Sequence, residues 1–225
     1  SYAGAACTAP AGTSFIDLDC DDADASVNPD AVDVCNDADD DCDGDVDDGL
    51  RVPTDYSTIQ DAIDASSSGE HVCVAAGTYP EDLLFGSHTL SVEGVDGSGA
   101  TSVKGTGTGP VVYISGGAAD LRFAGFTVSG GEDGYGAGVY APYMDGELED
   151  LDITENSCTS GSGCYGVGLY AYGPLLVKDV TVSSNYAAPV VASGAGGSVY
   201  GAGAYFPTSA SIENLKVSDN YVSST

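Results

Sequence analysis

LRFAGFTVSGG at residues 121–131 returns as GELEDLDITEN at 146–156, as LLVKDVTVSSN at 175–185 and as ASIENLKVSDN at 210–220. The copies are offset by 25, 29 and 35 residues. Apolar residues share three columns: Phe123, Leu148, Val177 and Ile212; Phe126, Leu151, Val180 and Leu215; Val128, Ile153, Val182 and Val217. A repeat of this length is typical of stacked solenoids, and alternating apolar residues in runs rich in Val, Ile and Thr favour strands. The stretch therefore predicts an all-β chain wound as a parallel β-helix.

Two further positions recur with this pattern. The copies end on Gly131, Asn156, Asn185 and Asn220, and a glycine and one apolar residue precede Tyr140, Tyr170 and Tyr205. Because the apolar residue before each tyrosine faces inward, the three tyrosines are expected to point outward as a stacked ladder. Such a ladder can dock a surface glycan or a protein partner, or it can simply stabilise the sheet.

The repeat, with its inward asparagine and its GxGxY segment, resembles the right-handed parallel β-helix superfamily over residues 53–225. This superfamily includes pectate lyases, polygalacturonases and adhesin-like bacterial surface proteins. The segments Ala75–Glu81 and Leu90–Gly97 are similar to the opening coils of pectate-lyase-like members. The resemblance implies the fold, but not the activity, because the superfamily contains enzymes, adhesins and inert scaffolds.

Composition limits the possible partners and the location. The 225 residues hold 35 acidic and five basic side chains, for a net charge of −30. This charge argues against nucleic-acid binding and against insertion at an anionic membrane, and it attracts cations. Seven cysteines favour an oxidising, extracytoplasmic location. Because no apolar run is long enough to span a membrane and no signal peptide is present, we expect a mature, secreted product.

The acidic residues are concentrated in an N-terminal head. Residues 1–50 contain fifteen Asp and no Glu, Lys or Arg. This shift in composition predicts a head at 1–52 and a β-helix at 53–225, with the boundary at Arg51-Val52-Pro53. Within the second domain, a helix is predicted near 57–66, where Ser or Thr would cap it and apolar residues recur at helical spacing. This helix would cover the first strand, predicted at Val72–Val74.

The head contains a pattern that favours calcium. Asp39, Asp41 and Asp43 alternate before Gly44, and oxygen ligands at every second position followed by a glycine can wrap a loop around Ca²⁺. Leu50 occupies the place of the bidentate Glu of an EF-hand, so Asp47 or Asp48 would have to complete the shell. A second site is predicted around the first acidic cluster. The predicted metal ligands are Asp17, Asp19, Asp21, Asp24, Asp37, Asp39, Asp41, Asp43, Asp45, Asp47 and Asp48.

The head as a whole resembles the cysteine-containing metal-binding repeat of secreted bacterial proteins and, more distantly, thrombospondin type 3 repeats. The resemblance is carried by Asp-Cys-Asp-Asp at 19–22, Pro29-Asp30-Ala31 and Asp-Asp-Asp-Cys-Asp-Gly at 39–44. It implies a bacterial extracellular or cell-surface protein, and some members of that family are associated with copper. Since the head has no His, Met or Trp, calcium is favoured over copper. A solvated, disordered acidic arm is the alternative.

Cysteine positions leave several pairings open. Cys7, Cys20, Cys35 and Cys42 form an even set that allows three connectivities, and Cys35 with Cys42 is the favoured pair. A zinc site is the competing interpretation, although CxxC spacing is absent. Cys158 and Cys164 are expected to close a local loop. Cys73 either pairs with a head cysteine or remains a free thiol.

Catalysis is the alternative to a structural role. Polysaccharide lyases and glycoside hydrolases of this superfamily need free basic groups beside carboxylates. The repeat alignment instead places Arg122 over Glu147 and Lys178 over Glu149 and Glu213, as ladder pairs. We therefore expect a secreted, calcium-binding solenoid with a structural, adhesive or filament-forming role and no chemistry of its own.

The last repeat suggests how such a filament would form. The sequence stops at Thr225 directly after a full repeat, without a capping helix, so either the chain continues or another subunit covers this end. In the second case, the contact would be head to tail and open, with Ca²⁺ bridging each junction.

Overall fold

The computed structural model describes residues 20–21, 23–31, 35, 38–44, 49–115, 120–159, 163–188, 198–208 and 210–223. The chain divides into two compact units, Ser1–Asp48 and Gly49–Thr225. The boundary between them lies four residues before the predicted one. Within the described residues, no helix is long and apolar enough to cross a membrane.

Almost all regular structure in the described residues is β-strand, with one short helix. The first half contains β1 (Leu50–Val52), α1 (Ile59–Ala65), β2 (Glu70–Val74), β3 (Gly77–Tyr79), β4 (Leu83–Phe85), β5 (Leu90–Gly94), β6 (Thr101–Lys104), β7 (Val112–Ile114), β8 (Leu121–Ser129) and β9 (Val139–Pro142). The second half contains β10 (Gly146–Thr154), β11 (Ser157–Cys158), β12 (Gly163–Tyr165), β13 (Leu169–Tyr172), β14 (Leu175–Ser183), β15 (Tyr186–Ala187), β16 (Ser198–Tyr200), β17 (Ala204–Tyr205), β18 (Ser211–Glu213), β19 (Lys216–Ser218) and β20 (Tyr221–Val222).

The strands form parallel sheets whose neighbours are far apart in sequence. The largest sheet has the order β1-β2-β5-β8-β10-β14-β18, with β6 joined to β3 and β8, and β19 joined to β14. A second sheet has the order β17-β13-β9-β7-β4, and β11-β15-β20 and β12-β16 form two smaller ones. The chain therefore visits the sheets in turn, and each return adds a parallel strand beside the previous one.

The repeat sets the register of the largest sheet. Leu148 lies opposite Phe123 and Val177, and Ile153 lies opposite Val128 and Val182, as the columns predicted. These apolar side chains are fully buried in one core cluster. Because every repeat places the same class of residue at the same position, each strand packs its apolar side chains directly on those of its neighbours.

A column of left-handed residues bends each long strand. Gly125, Asp150, Asp179 and Asn214 occupy equivalent positions in β8, in β10, in β14 and between β18 and β19, with φ of +80°, +45°, +52° and +54°. Glycine reaches this region without strain, and Asp and Asn tolerate it better than other residues with a side chain. The short polar residues in the middle of an apolar strand are thus explained by the backbone and not by solvent exposure alone.

The predicted inward asparagines form a hydrogen-bonded ladder at the ends of the long strands. Asn185 Oδ1 accepts from Asn156 N and Nδ2, both at 3.0 Å, and Asn220 Oδ1 accepts from Asn185 N and Nδ2 at 3.0 and 2.9 Å. Asn156 Oδ1 accepts in turn from Gly131 N at 2.9 Å. Since Asn156 is 1% exposed and Asn185 is fully buried, the ladder satisfies polar groups that water does not reach.

The predicted helix is confirmed as α1. Thr58 is its N-cap, and its hydroxyl accepts from Asp61 N at 3.1 Å. The Glu81 carboxylate accepts from two further amides of the first turn, Ile59 N at 3.0 Å and Gln60 N at 2.9 Å. Three of the helix's apolar residues are buried in the core cluster: Ile59, Ala62 and Ile63.

One side chain of this helix completes a strand edge. Gln60 Oε1 accepts from Leu84 N at 2.7 Å, and Gln60 Nε2 donates to Leu84 O at 3.2 Å. Leu84 is the central residue of β4, which lies at the end of the second sheet. The glutamine amide thus makes the two hydrogen bonds that a neighbouring strand would otherwise make.

The predicted first strand is in fact the second of the largest sheet. Val72–Val74 lies within β2, and Leu50–Val52 forms β1 and pairs with it in parallel. Three residues beside a proline carry too little periodicity to be recognised, so β1 was missed. Its pairing places residues 50–52 in the second unit.

Candidate metal centre

The segment Asp39–Gly44 is a tight loop held by its own carboxylates. Asp39 Oδ1 accepts from Asp43 N at 3.1 Å, and Asp39 Oδ2 accepts from Gly44 N at 3.0 Å. Asp41 Oδ1 also accepts from Asp43 N at 3.1 Å. Cys42 and Gly44 have φ of +62° and +104°, so the chain reverses sharply here. The alternating aspartates therefore face one side of the turn.

This turn brings three carboxylates together. One oxygen from each of Asp39, Asp41 and Asp43 lies within 4.8 Å of the other two. Ca²⁺ binds oxygens at about 2.3–2.6 Å, so two ligands of one ion can be up to about 5 Å apart. Asp39 and Asp41 are half-buried and Asp43 is exposed. The spacing and accessibility of these carboxylates fit a cation of this size.

A disulfide anchors the same loop, but it is not the predicted one. Cys42 is bonded to Cys20, so the favoured pairing of Cys35 with Cys42 is wrong. Closing a loop of 22 residues costs only about 1 kcal/mol more in conformational entropy than closing one of seven. Proximity in sequence is therefore a weak guide to which cysteines form a disulfide. Cys35 and Cys73 are also disulfide-bonded, which excludes a free Cys73 thiol. The cysteines of the described head thus offer no thiolate to a metal.

The first acidic cluster is only partly described. Asp21 Oδ1 accepts from Ala23 N at 3.1 Å, and Asp24 Oδ1 accepts from the Ser26 hydroxyl at 2.6 Å and the Ser26 amide at 3.0 Å. These bonds from Ser26 lower the pKa of Asp24. Neither aspartate joins the group formed by Asp39, Asp41 and Asp43. Six predicted ligands lie outside the described residues: Asp17, Asp19, Asp37, Asp45, Asp47 and Asp48.

One contact in the head was not anticipated. Asn28 N donates to the Asp40 carbonyl at 2.8 Å, which ties the turn at residues 24–31 to the carboxylate loop. The Asn28 side chain accepts from Asp30 N at 3.0 Å and donates to Ala25 O at 3.2 Å. The Asn-Pro pair at 28–29 is a common turn signal and could have identified this position.

A second cluster of charges lies on the outer face of the largest sheet. Arg122 pairs with Glu93 at 2.7 Å, with Glu149 at 2.8 Å and, more loosely, with Glu147 at 3.8 Å. Lys178 bonds to Glu149, as the alignment predicted. The hydrogen bond from Lys178, with those from Arg122, lowers the pKa of Glu149. Glu93 was missed because it precedes the four aligned copies.

A cleft of about 680 Å³ runs beside this cluster, where the chain enters four successive strands of the sheet. Its wall includes Asp120, Asp145, Glu147, Arg122 and the backbone before β14 and β18. Arg122 is the only basic side chain lining it among the described residues. Since Arg122 already holds carboxylates of this chain, the charge that the cleft presents is mainly acidic, beside apolar residues such as Leu175 and Leu176.

The tyrosine column is in register but is not a simple stack. Tyr140 lies opposite Tyr170, which lies opposite Tyr205, as predicted. Their rings meet at 66° and 44° and not face to face, because Tyr135 and Tyr165 of a neighbouring column pack against them. We call the connected set the tyrosine surface: Tyr113, Tyr135, Tyr140, Tyr143, Tyr165, Tyr170, Tyr172 and Tyr205.

Comparison with known proteins identifies only the head. The Cu-binding MopE family model, whose description is "Putative metal-binding motif", matches residues 19–48. The match contains the Asp39–Gly44 loop and the Cys20–Cys42 disulfide. Neither a curated protein nor a solved structure matches the chain.

Proposed function

We propose that this chain is a secreted, calcium-binding β-solenoid with a structural or adhesive role outside the cell. The observation that carries the proposal is the convergence of the Asp39, Asp41 and Asp43 carboxylates within 4.8 Å, in a segment that matches a metal-binding motif. A bound cation would offset the repulsion among these carboxylates, which the rest of an acidic chain cannot relieve.

The donor set favours calcium over copper. The convergent ligands are carboxylate oxygens, which suit hard cations such as Ca²⁺, whereas copper prefers imidazole or sulfur. Residues 1–50 contain neither His nor Met, and Cys20, Cys35 and Cys42 are disulfide-bonded. The described residues of the head therefore offer copper neither imidazole nor a thiolate.

The sheets of the second unit support the solenoid, and the disulfides of both units support an extracellular location. Parallel sheets visited in turn, one core shared by successive strands and a buried asparagine ladder are what we expect of a right-handed parallel β-helix, and they support this part of the proposal. Disulfides at Cys20–Cys42 and Cys158–Cys164 favour an oxidising, extracellular environment. The second pair is the local loop predicted from the sequence.

Self-association and glycan or protein docking belong to the same proposal. Ile212 and Val217 are 48% and 51% exposed, whereas Val177 and Val182 in the same columns are fully buried. A second copy packed on these residues would extend the core across subunits. Light scattering with and without millimolar calcium tests the self-association.

The tyrosine surface, with Tyr140, Tyr170 and Tyr205, is the face proposed for a surface glycan or protein.

Glycoside or polyuronate cleavage is the second candidate function, and one observation favours it. Asp145 and Glu147 both line the 680 Å³ cleft, so it holds two carboxylates of the kind that glycoside cleavage uses. Against it, Arg122 and Lys178 hold glutamates of the same sheet, so neither is free to bind an acidic substrate or act as a base. Turnover of pectate or alginate that is lost in Glu147→Gln would establish this alternative.

Calorimetric titration of the chelator-stripped, full chain tests the metal. We expect the chain to take up Ca²⁺, and the Asp41→Asn/Asp43→Asn double variant to lose the part of that uptake that this loop provides. Asp30→Asn removes an exposed head carboxylate outside the cluster and should behave as wild type. The assignment would be overturned if the chain binds no Ca²⁺, or if it binds Cu²⁺ and not Ca²⁺.

A further inference from the structure

The closest ring contact of the tyrosine surface lies at its edge. The ring centroids of Tyr143 and Tyr172 are 4.4 Å apart, and the rings meet at 70°. Tyr143 directly follows β9, and Tyr172 is the last residue of β13, which pairs with β9 in parallel. The two tyrosines therefore come from adjacent strands that are 29 residues apart in sequence.

Tyr172 is also desolvated beside Tyr143. This desolvation, and then the neighbouring Tyr143 side chain, raise the pKa of Tyr172. In a phenol, the ring carbons beside the hydroxyl-bearing carbon are the positions at which an oxidised ring forms new bonds. Because the ring centroids are only 4.4 Å apart, the two rings are in direct contact, and a radical on one ring has the other as an immediate neighbour.

The two tyrosines differ in their exposure to solvent. Tyr143 is 70% exposed and has a left-handed backbone, with φ of +60°, that lifts it out of the strand. Tyr172 is half-buried beside it and also touches Tyr170. An oxidant in solution would therefore reach Tyr143 first, and the radical it leaves would have Tyr172 as its nearest partner.

We propose that Tyr143 and Tyr172 form a site of oxidative cross-linking that joins adjacent strands through a dityrosine bond. A haem peroxidase with hydrogen peroxide removes one electron and one proton from each phenol. The two phenoxyl radicals couple through their ortho carbons, and each coupled ring regains its aromaticity when the ortho hydrogen moves to the oxygen. Overall, the tyrosine pair loses two hydrogen atoms, and one hydrogen peroxide is reduced to two waters.

The link would act as a covalent staple within the sheet. Tyr172 lies opposite Pro142, the neighbour of Tyr143, so the bond would join the strands where they are already in register. It would therefore form without displacing the backbone pairing. Closing a loop of 29 residues restricts the unfolded chain, so the cross-linked protein should unfold at a higher temperature.

The experiment treats the dilute full chain with peroxidase and limiting hydrogen peroxide. Dityrosine is read by its fluorescence and by mass spectrometry of peptides cleaved at acidic residues. We expect one linked peptide pair, containing Tyr143 and Tyr172 and lacking two hydrogens, together with a raised thermal midpoint. Tyr143→Phe and Tyr172→Phe should each abolish that pair, whereas Tyr186→Phe, which alters a tyrosine outside the surface, should retain it.

Three outcomes would overturn the proposal. The first is oxidation of Tyr143 to other products without the linked pair. The second is linkage only between separate molecules, seen as dimers in the same digest. The third is an equal yield of dityrosine in Tyr143→Phe, which would place the bond elsewhere on the surface.

Discussion

Replacing Asn185 by Ala removes the centre of the asparagine ladder. The Asn185 side chain accepts two hydrogen bonds from Asn156 and donates to Ile153 O at 2.9 Å, Ser183 O at 3.0 Å and Asn220 Oδ1 at 2.9 Å. The substitution therefore breaks five contacts at a fully buried position.

The size of the effect follows from the groups left without partners. The Asn156 amide loses its acceptor inside the protein, and a buried unsatisfied group costs about 1–3 kcal/mol. The other broken bonds leave partners that retain further contacts, as Asn156 Nδ2 does with Val128 O and Thr154 O. We expect a total loss of about 2–4 kcal/mol, which is large for one substitution.

Urea unfolding followed by circular dichroism measures this loss. With a slope of about 2 kcal/mol per M, the midpoint should fall by about 1–2 M. Asn214→Gly is the matched control, because Asn214 is exposed, makes one side-chain bond to Asp179 and has a left-handed backbone that glycine accepts. If the two variants lose equal stability, the ladder does not hold the strand ends together as argued.

Two further predictions concern the charge cluster and the head. Because Lys178 lowers the pKa of Glu149 below its ordinary 4.5, the stability that ionised Glu149 adds is present above pH 4.5 and is lost as pH falls through the lower folded value. Glu149→Gln should thus be less stable than wild type at pH 7, and the gap in urea midpoint should close as pH falls through the lowered folded pKa of Glu149. In the head, Cys20→Ser/Cys42→Ser should weaken calcium uptake by about tenfold or more in calorimetry, because the free loop must be ordered on binding.

Each of these predictions has its own control. Glu155→Gln changes an exposed glutamate and should leave the pH profile unchanged, so an equal effect would refute the role given to Glu149. Cys158→Ser/Cys164→Ser removes the disulfide of the second unit and should leave calcium uptake intact. Equal loss in both cysteine variants would show that the head disulfide has no special part in metal binding.

The sequence predicted the features that repeat and missed those that occur once. Phe123, Leu148 and Val177 could be placed in one column because three copies agree on the same apolar position. Glu93 stands before the aligned copies, so its bond to Arg122 had no pattern to reveal it. The Tyr143–Tyr172 contact likewise depends on how two strand ends meet in space.

The candidate metal centre likewise contains one feature that the sequence predicted and one that it did not. The Asp39, Asp41 and Asp43 cluster was predictable because its carboxylates lie within five residues, where alternation places side chains on one face. The Cys20–Cys42 bond was not, because residues 22 apart meet only through the folding of the intervening chain. Local spacing therefore determines which carboxylates converge, and tertiary structure determines what holds their loop in place.

The pairing of Gln60 with Leu84 has a consequence for how such a chain can evolve. A row of unpaired strand amides invites misassembly with other chains, and here one glutamine on a seven-residue helix occupies the central pair of them. The protection is local, since it depends on β4 and α1 and on no later repeat. Repeats further along the chain could therefore be duplicated or deleted while the edge of β4 stays covered. Gln60→Ala would uncover this edge and open it to amyloid-like growth.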